Sequence, residues 1–399
     1  MPLPISSDLL ESERTQALKV LSAFRGVYPE SKPLLVRSPG RVNLIGEHTD
    51  YNEGFVLPAA VDKAIYFAVA PASGSTCALR AVDLDESWDF DLDRIAPSER
   101  RWPNYLIGVV DQFFKAGARI GAFRCAFGGD VPVGSGMSSS AAIEAGLAFA
   151  LNRLFVLGFD SLGLVKLAQK AENEFVGVRC GIMDQFANIF GRTGSVLKLD
   201  CRSLSHAYYP FERSDLRIVL CDTRVKRELA SSEYNVRRGQ CEAGVQALAR
   251  HDPSLRSLRD VPLGLLQAHR AEIEPVILRR CEYVIRENGR VEAACADLEK
   301  SDFNAFGRRM FASHEGLRDD YEVSCRELDI LVDAASAVSG VLGARMMGAG
   351  FGGCTINLVE DGAVGELALA AAKAFRDAFG RDPAVYISRL RSGTREISI

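Results

Sequence analysis

The sequence predicts an α+β protein built as two lobes, and three observations lead there. The chain has 399 residues, more than the roughly 100–200 of an ordinary domain. Its apolar residues alternate between strand-like runs and helical spacing. Its texture also changes near residues 200–215, from strand-bearing sequence to charged helical sequence.

Element by element, residues 8–25 place Leu9, Leu10, Ala17, Leu18, Val20, Leu21 and Phe24 on one face of an amphipathic helix. The β-branched and leucine residues from Leu34 to Leu44 predict strands broken at Ser38-Pro39-Gly40. Ala64–Ala70 and Thr76–Val82 read as further strands. A long apolar helix is expected over 137–157, entered from Val133-Gly134-Ser135-Gly136, then a helix over 161–176 and a strand at Ser195–Leu199. Asp200-Cys201-Arg202-Ser203 has the composition of a turn, and the lobes are divided there into residues 1–205 and 206–399. Beyond it, Leu216–Cys221 reads as a buried strand, 226–250 as a charged helix and 265–339 as several helices. A strand pair is expected around 343–359, a helix at 363–379 and a last strand at Ala384–Leu390, able to pack on either lobe.

Composition narrows the function. With 48 Lys+Arg against 52 Asp+Glu, the net charge is −4, and no basic block offers a surface for nucleic acid or an anionic membrane. The longest stretch without Asp, Glu, Lys or Arg is the 16 residues Ala64–Leu79, interrupted by Pro71 and Gly74; a spanning helix needs about 20 apolar residues. The N-terminus lacks a basic start followed by an apolar core, so no secretory signal is read there. Ten cysteines are scattered without a C-x-x-C pair, a pattern of reduced thiols and not of a disulfide framework. These observations predict a cytoplasmic enzyme.

Three segments carry chemistry. In VPVGSGMSSSAAIE, glycines allow a tight loop, and Ser138, Ser139 and Ser140 follow on the first turn of the predicted helix. Free N–H groups and the positive end of the helix dipole favour a bound phosphate there, although a serine cap after a glycine turn has the same appearance. No G-x-x-x-x-G-K-[ST] occurs, so this is not a Walker loop. The second segment, SPGRVNLIGEHTDYNEGFVLP (38–58), crowds Arg41, Glu47, His48, Asp50, Tyr51 and Asn52 between glycines. Its carboxylates and imidazole can accept hydrogen bonds from sugar hydroxyls. The five histidines show no paired metal-ligand spacing. The third segment, MMGAGFGGCTINLV (346–359), has glycines at 348, 350, 352 and 353, which suit either close approach to another group or a structural hairpin. Between them, Asp184 of GIMDQF is expected to be partly buried, and Glu172 falls on the 161–176 helix.

Together these segments closely resemble the galactokinase branch of the galactokinase, homoserine, mevalonate and phosphomevalonate (GHMP) kinases. GRVNLIGEHTDYN resembles the galactokinase signature, VPVGSGMSSSAA the phosphate loop of the superfamily and GAGFGGCT its third motif; CGIMDQF and ASSEYNVRR also look like galactokinase segments. The resemblance extends from Ser38 to about Ile399 and implies a two-lobed GHMP kinase fold, mixed β-sheets with helices, and an active site in the cleft between lobes. It implies ATP-dependent phosphorylation of galactose at the C1 hydroxyl, the entry step of galactose catabolism, with Mg²⁺ as cofactor.

By position, Glu47, His48, Asp50, Gly181 and Tyr234 are implied to bind the sugar, together with Asp184. Gly134, Ser135, Gly136, Met137, Ser138, Ser139 and Ser140 are implied to hold the ATP phosphates, with Trp102 and Asn104 on the adenine side. Ser140 and Glu172 are the implied Mg²⁺ ligands, Asp184 the proton acceptor and Arg41 the group that stabilises the transferring phosphoryl. Phosphoryl transfer needs positioning and charge neutralisation more than covalent help, and hard oxygen ligands suit Mg²⁺. Two departures from the family pattern, GSGM in the loop and Ala349 where glycine is usual, predict only modest changes in nucleotide affinity. Partners are expected to be the sugar and ATP, with no nucleic acid or membrane, and the chain a monomer or weak homodimer. The competing readings are a kinase for N-acetylgalactosamine or galacturonate, and a non-catalytic galactose sensor; the complete Ser138-Ser139-Ser140-Ala141 run argues against the sensor.

Overall fold

In the computed structural model, residues 9–132, 134–178, 180–225 and 230–398 are described; Val133 of the phosphate loop and residues 226–229 of the predicted charged helix lie outside them. The first half comprises α1 (Glu11–Val27), β1 (Leu34–Asn43), β2 (Phe55–Val56), β3 (Pro58–Pro71), β4 (Thr76–Ala81), β5 (Glu86–Asp91), α2 (Arg101–Lys115) and β6 (Phe123–Gly129). It continues with α3 (Ser139–Leu154), α4 (Ser161–Lys170), a π-helical turn at Ala171–Val176, α5 (Met183–Phe190), β7 (Ser195–Asp200) and β8 (His206–Pro210). The second half contains β9 (Leu216–Asp222), α6 (Ala230–Leu248), α7 (Leu263–Ala268), α8 (Pro275–Glu299), α9 (Phe303–Glu315) and α10 (Arg326–Ser336). It ends with β10 (Val341–Met346), β11 (Cys354–Glu360), α11 (Val364–Phe379), β12 (Ala384–Ser388) and β13 (Arg395–Glu396).

A six-stranded sheet has the order β13-β1-β3-β6-β4-β5, a four-stranded sheet the order β10-β11-β9-β12, and a three-stranded sheet the order β2-β7-β8. The largest is mixed, because β4 runs parallel to β6 while its other pairs are antiparallel. Along β3 the side chains divide with period two. Ile65, Phe67 and Val69 enter the main core with Val109, Phe113 and Leu147. Ala64, Tyr66, Ala68 and Ala70 meet Ala17, Val20 and Phe24 of α1. A sheet covered on both faces explains why this stretch is nearly continuous in apolar residues, and burying Phe24 fully contributes about 1.5–3 kcal/mol.

The structure corrects one sequence expectation and locates others. The strand at 34–44 is not broken: Ser38-Pro39-Gly40 stays inside β1, with only a register irregularity between Pro39 and Arg41. The turn at 200–203 closes the β7–β8 hairpin, whose register runs Ser195 opposite Pro210 to Leu199 opposite His206. The end of the chain serves both sheets, β12 pairing with β9 and β13 with β1. The helix at 161–176 changes to π geometry at Ala171, a local irregularity often found at functional positions. No helix among the described residues is long and apolar enough to cross a membrane.

Candidate active site

The phosphate-loop segment lies against β1. The Arg41 amide donates to the Met137 carbonyl at 3.0 Å, and a Cβ added at Gly40 would come within 3.0 Å of the same oxygen. Gly134, Gly136 and Ser138 all have positive φ (82°, 83° and 54°). Glycine accepts that region freely, whereas serine enters it at a cost. What holds Ser138 there is its side chain: Oγ donates to Oδ2 of Asp184 instead of capping α3. The first amides of α3 are therefore without a side-chain cap, as an anion site requires. Two loop residues turn inward. Met137 is buried in the main core, and the hydroxyl of buried Ser135 donates to the Pro132 carbonyl at 2.8 Å. Their side chains are thus structural, and only their backbone faces the loop.

Asp184 enters from the first turn of α5. Its Oδ1 accepts from Nε of Arg41 at 2.7 Å and lies 2.6 Å from Nη2, with both side chains mostly buried. Arg41 also donates through Nη1 to the carbonyl of Gly136. One guanidinium therefore ties the carboxylate to the phosphate loop.

Beside this pair lies a cluster of buried carboxyl groups. Glu172, on the π turn, accepts from Nε2 of Gln185 at 2.8 Å and from Sγ of Cys180 at 3.3 Å, and the Ser140 hydroxyl also reaches it. Burial raises its pKa, and the Asp184 carboxylate adds to the rise. Glu144, fully buried on α3, has both oxygens without a hydrogen-bond partner. Its pKa is pushed well above the carboxylate range by burial and then by Glu172. Two buried acceptors facing one another can be satisfied only by a proton or a cation. A hydroxyl with several carboxylates is an oxygen donor set of the kind Mg²⁺ takes, so the residues present fit the implied ion.

The 38–58 segment forms a second cluster. A 3₁₀ turn at Asp50–Asn52 follows His48, whose φ is 62°. The side-chain amide of Asn52 holds this turn by donating to the His48 carbonyl at 2.8 Å. Nδ1 of His48 bonds the Tyr51 hydroxyl at 2.8 Å, which bonds the Tyr321 hydroxyl at 2.7 Å. Burial, then the charge of Arg237, lower the His48 pKa to about 3, with the Ala349 backbone pulling the other way. The imidazole is neutral, and its buried Nε2 has no well-formed hydrogen bond. The Tyr234 ring lies 4.9 Å from Tyr51 and 5.8 Å from His48. Asp50 is raised to about 6, chiefly by burial, although the Tyr51 amide favours its charged form; the Asp184 and Glu47 carboxylates push it further up. Gly181 lies so close that any Cβ there would collide with Oδ2 of Asp50.

Glu47 points toward the second lobe. Its Oε1 lies 3.1 Å from Nη2 of Arg345 and accepts from the Gly348 amide at 2.8 Å, while Oε2 has no protein bond among the described residues. Arg345, fully buried on β10, also donates to the carbonyls of Leu44 (2.8 Å) and Met346 (2.6 Å) and to that of Asn43. The glycine cluster is thus both a hairpin loop between β10 and β11 and a close approach to the 38–58 segment. A helix of the second lobe clamps the same segment, since buried Glu287 of α8 accepts from the Gly46 amide at 2.9 Å.

Trp102 and Asn104 are engaged locally. Nε1 of Trp102 donates to Glu86 at 2.8 Å, and the Asn104 amide both accepts from and donates to the backbone of Ser98 at 2.7 and 2.9 Å. Among the described residues, neither bonds to the loop. Sequence reasoning missed Ser138 as the partner of Asp184, along with Glu144, Gln185, Arg345, Tyr321 and Glu287. For Glu144, its acidic position within an otherwise apolar helix was the available signal.

The galactokinase galactose-binding signature matches residues 22–71, the N-terminal domain of GHMP kinases residues 104–192 and their C-terminal domain residues 294–377. A galactokinase of Roseiflexus sp. (strain RS-1) is 44% identical over 375 residues, 93% of this chain and 94% of the relative. One from Clostridium acetobutylicum is 39% identical over 380 residues, 94% and 97% of the two chains. The crystal structure of Lactococcus lactis galactokinase complexed with galactose superposes with a TM-score of 0.89 at 35% identity, covering 95% of this chain and all of that one. Methanococcus jannaschii mevalonate kinase, at 16% identity and TM-score 0.65 over 91% of this chain and all of its own, shares the fold.

Proposed function

The chain belongs to the galactokinase family of GHMP kinases, and from that premise we propose that it transfers the γ-phosphoryl group of ATP to the C1 hydroxyl of galactose. The observation that carries the mechanism is the convergence of Arg41, Asp184 and Ser138 at the uncapped start of α3. Asp184 accepts the proton of the attacking hydroxyl. Arg41 holds that carboxylate in place and offsets charge on the transferring group. The loop backbone from Gly134 to Ser140 receives the phosphates, with Trp102 and Asn104 on the adenine side through side chains that leave their present partners. Asp50, His48, Tyr234 and Oε2 of Glu47 bind sugar hydroxyls, beside the backbone of Gly181.

Ser140 and Glu172 would hold Mg²⁺, with the buried carboxyl of Glu144 behind them. When bound, the ion neutralises phosphate charge and orients the reacting group. Burial holds Glu144 neutral without metal, so Glu144→Gln should leave the metal-free melting temperature nearly unchanged while Mn²⁺ binding, followed by electron paramagnetic resonance, weakens. A fall in the metal-free melting temperature with unchanged Mn²⁺ affinity would contradict this placement. The chain acts as a monomer or weak homodimer, and we place the division between lobes in the 211–215 connection, since β8 pairs with β7 of the first lobe.

The function is tested with a sugar panel and ATP·Mg²⁺, reading ADP release and the position of the new phosphate. Galactose is expected to give the highest kcat/KM and a 1-phosphate. A higher value for N-acetylgalactosamine or galacturonate, or no sugar-dependent ADP, would displace this reading in favour of a related sugar kinase or a sensor.

Two further outcomes follow from the pocket. Sugar hydroxyls that donate to Asp50 favour its charged form. Asp50 is held up to about 6 in the free protein, so galactose affinity should fall as pH drops through about 6, with a proton released on binding there. Calorimetry in buffers of different ionisation enthalpy measures that release. Gly181→Ala places a methyl group against Asp50. Overpacking typically costs about 1–3 kcal/mol, so galactose affinity should weaken roughly 5- to 150-fold, checked by calorimetry, with kcat less affected.

A further inference from the structure

Folding undoes one feature of the sequence, the wide separation of its histidines. His251 lies in the turn that ends α6, its amide bonded to the Leu248 carbonyl at 2.9 Å. His269 follows α7, and Glu272 ends the short 3₁₀ turn after it. The two imidazoles stack with centroids 3.6 Å apart and planes 18° from parallel. Glu272 bridges them, Oε2 lying 2.8 Å from Nε2 of His251 and Oε1 lying 2.9 Å from Nδ1 of His269. One ligand atom from each residue falls within 4.8 Å of the other two.

We propose that His251, His269 and Glu272 form a binding site for a first-row transition dication of the Zn²⁺ type, separate from the phosphoryl-transfer site. Two imidazole nitrogens and one carboxylate make a borderline donor set that Zn²⁺, Ni²⁺ or Cu²⁺ takes and Mg²⁺ does not. Zinc bonds of about 2.0–2.2 Å set neighbouring tetrahedral ligands about 3.4 Å apart. The present spacing closes to that value by rotation of side chains that are partly open to solvent. Each histidine binds through the nitrogen that now faces Glu272, its remaining proton residing on the other ring nitrogen, and water completes the fourth position. The site sits at the opposite end of α6 from Tyr234, about 20 Å along the helix at 1.5 Å per residue. A bound ion there would join the end of α6 to the segment after α7.

The test uses the full chain, stripped with chelator and titrated with Zn²⁺ by competition calorimetry, alongside His251→Ala/His269→Ala and Glu272→Gln. The intact chain should bind one more equivalent than the double variant, and Glu272→Gln should bind more weakly. Its melting temperature should rise until that equivalent is filled, with no such rise in the double variant. Co²⁺ should give visible d–d bands, free of near-ultraviolet thiolate charge transfer, that are lost in the double variant. Equal stoichiometry in the two proteins, or Co²⁺ bands dominated by thiolate charge transfer and indifferent to the substitutions, would overturn the proposal. Galactose-dependent ADP release by both variants without Zn²⁺ establishes that they are folded.

Discussion

Asp184→Asn should lower kcat for galactose phosphorylation by about 10²–10⁴-fold, the usual worth of a positioned general base. The substitution preserves shape, keeps an acceptor for Arg41 and turns a donor toward Ser138, whose hydroxyl can accept as well as donate, so the α3 loop should hold its place. Galactose binding, measured by calorimetry without ATP, should therefore survive. The separation of turnover from binding is what makes the result diagnostic. Near-normal turnover would remove Asp184 from the mechanism. Parallel loss of binding and turnover would make it a pocket residue whose carboxylate acts on the sugar before the reaction begins.

The second large effect is expected at Arg345, on β10 of the second lobe. Its guanidinium joins three backbone carbonyls and Glu47 in a site closed to water. Arg345→Met leaves Glu47 buried without its cation, a change that typically costs about 3–5 kcal/mol. Urea unfolding should show a correspondingly lower midpoint, and the KM for galactose should rise because Glu47 anchors the 38–58 segment. Arg345→Lys should rescue only part of the stability, since an ammonium cannot reproduce the planar fork of donors. Unchanged stability in Arg345→Met would mean that Glu47 is satisfied without it.

These two residues mark what a single sequence can and cannot reveal. Arg41, Glu47 and Asp50 stand within ten positions of one another in a motif dense with chemistry, and Asp184 is the lone acid in an apolar stretch. Local composition exposes them. Arg345 shares no local pattern with Glu47, about 300 positions earlier, and only the packing of β10 on the 38–58 segment brings them together. Ser138 was visible as part of a serine run, but its bond to Asp184 depends on a left-handed backbone that serine does not advertise. The helices of the second half were legible because their apolar faces repeat at helical spacing. β1 was read as interrupted because Pro39 and Gly40 commonly end strands, whereas here they are absorbed within a paired one. The two-residue β13 is too short to leave a periodic trace.

That short strand bears on how the protein comes into being. Its partner β1 would otherwise be an outer edge of the largest sheet, and Ile397 beside it is buried against α1. Just before it, the Thr394 amide bonds the Asn188 carbonyl at 2.8 Å, on the helix that carries Asp184. During synthesis, the amino-terminal lobe must therefore wait with an open edge until residues 394–397 have been translated, and open edges invite pairing between chains. Molecules that lack those residues would be prone to aggregate, with the helix that carries Asp184 missing a tether.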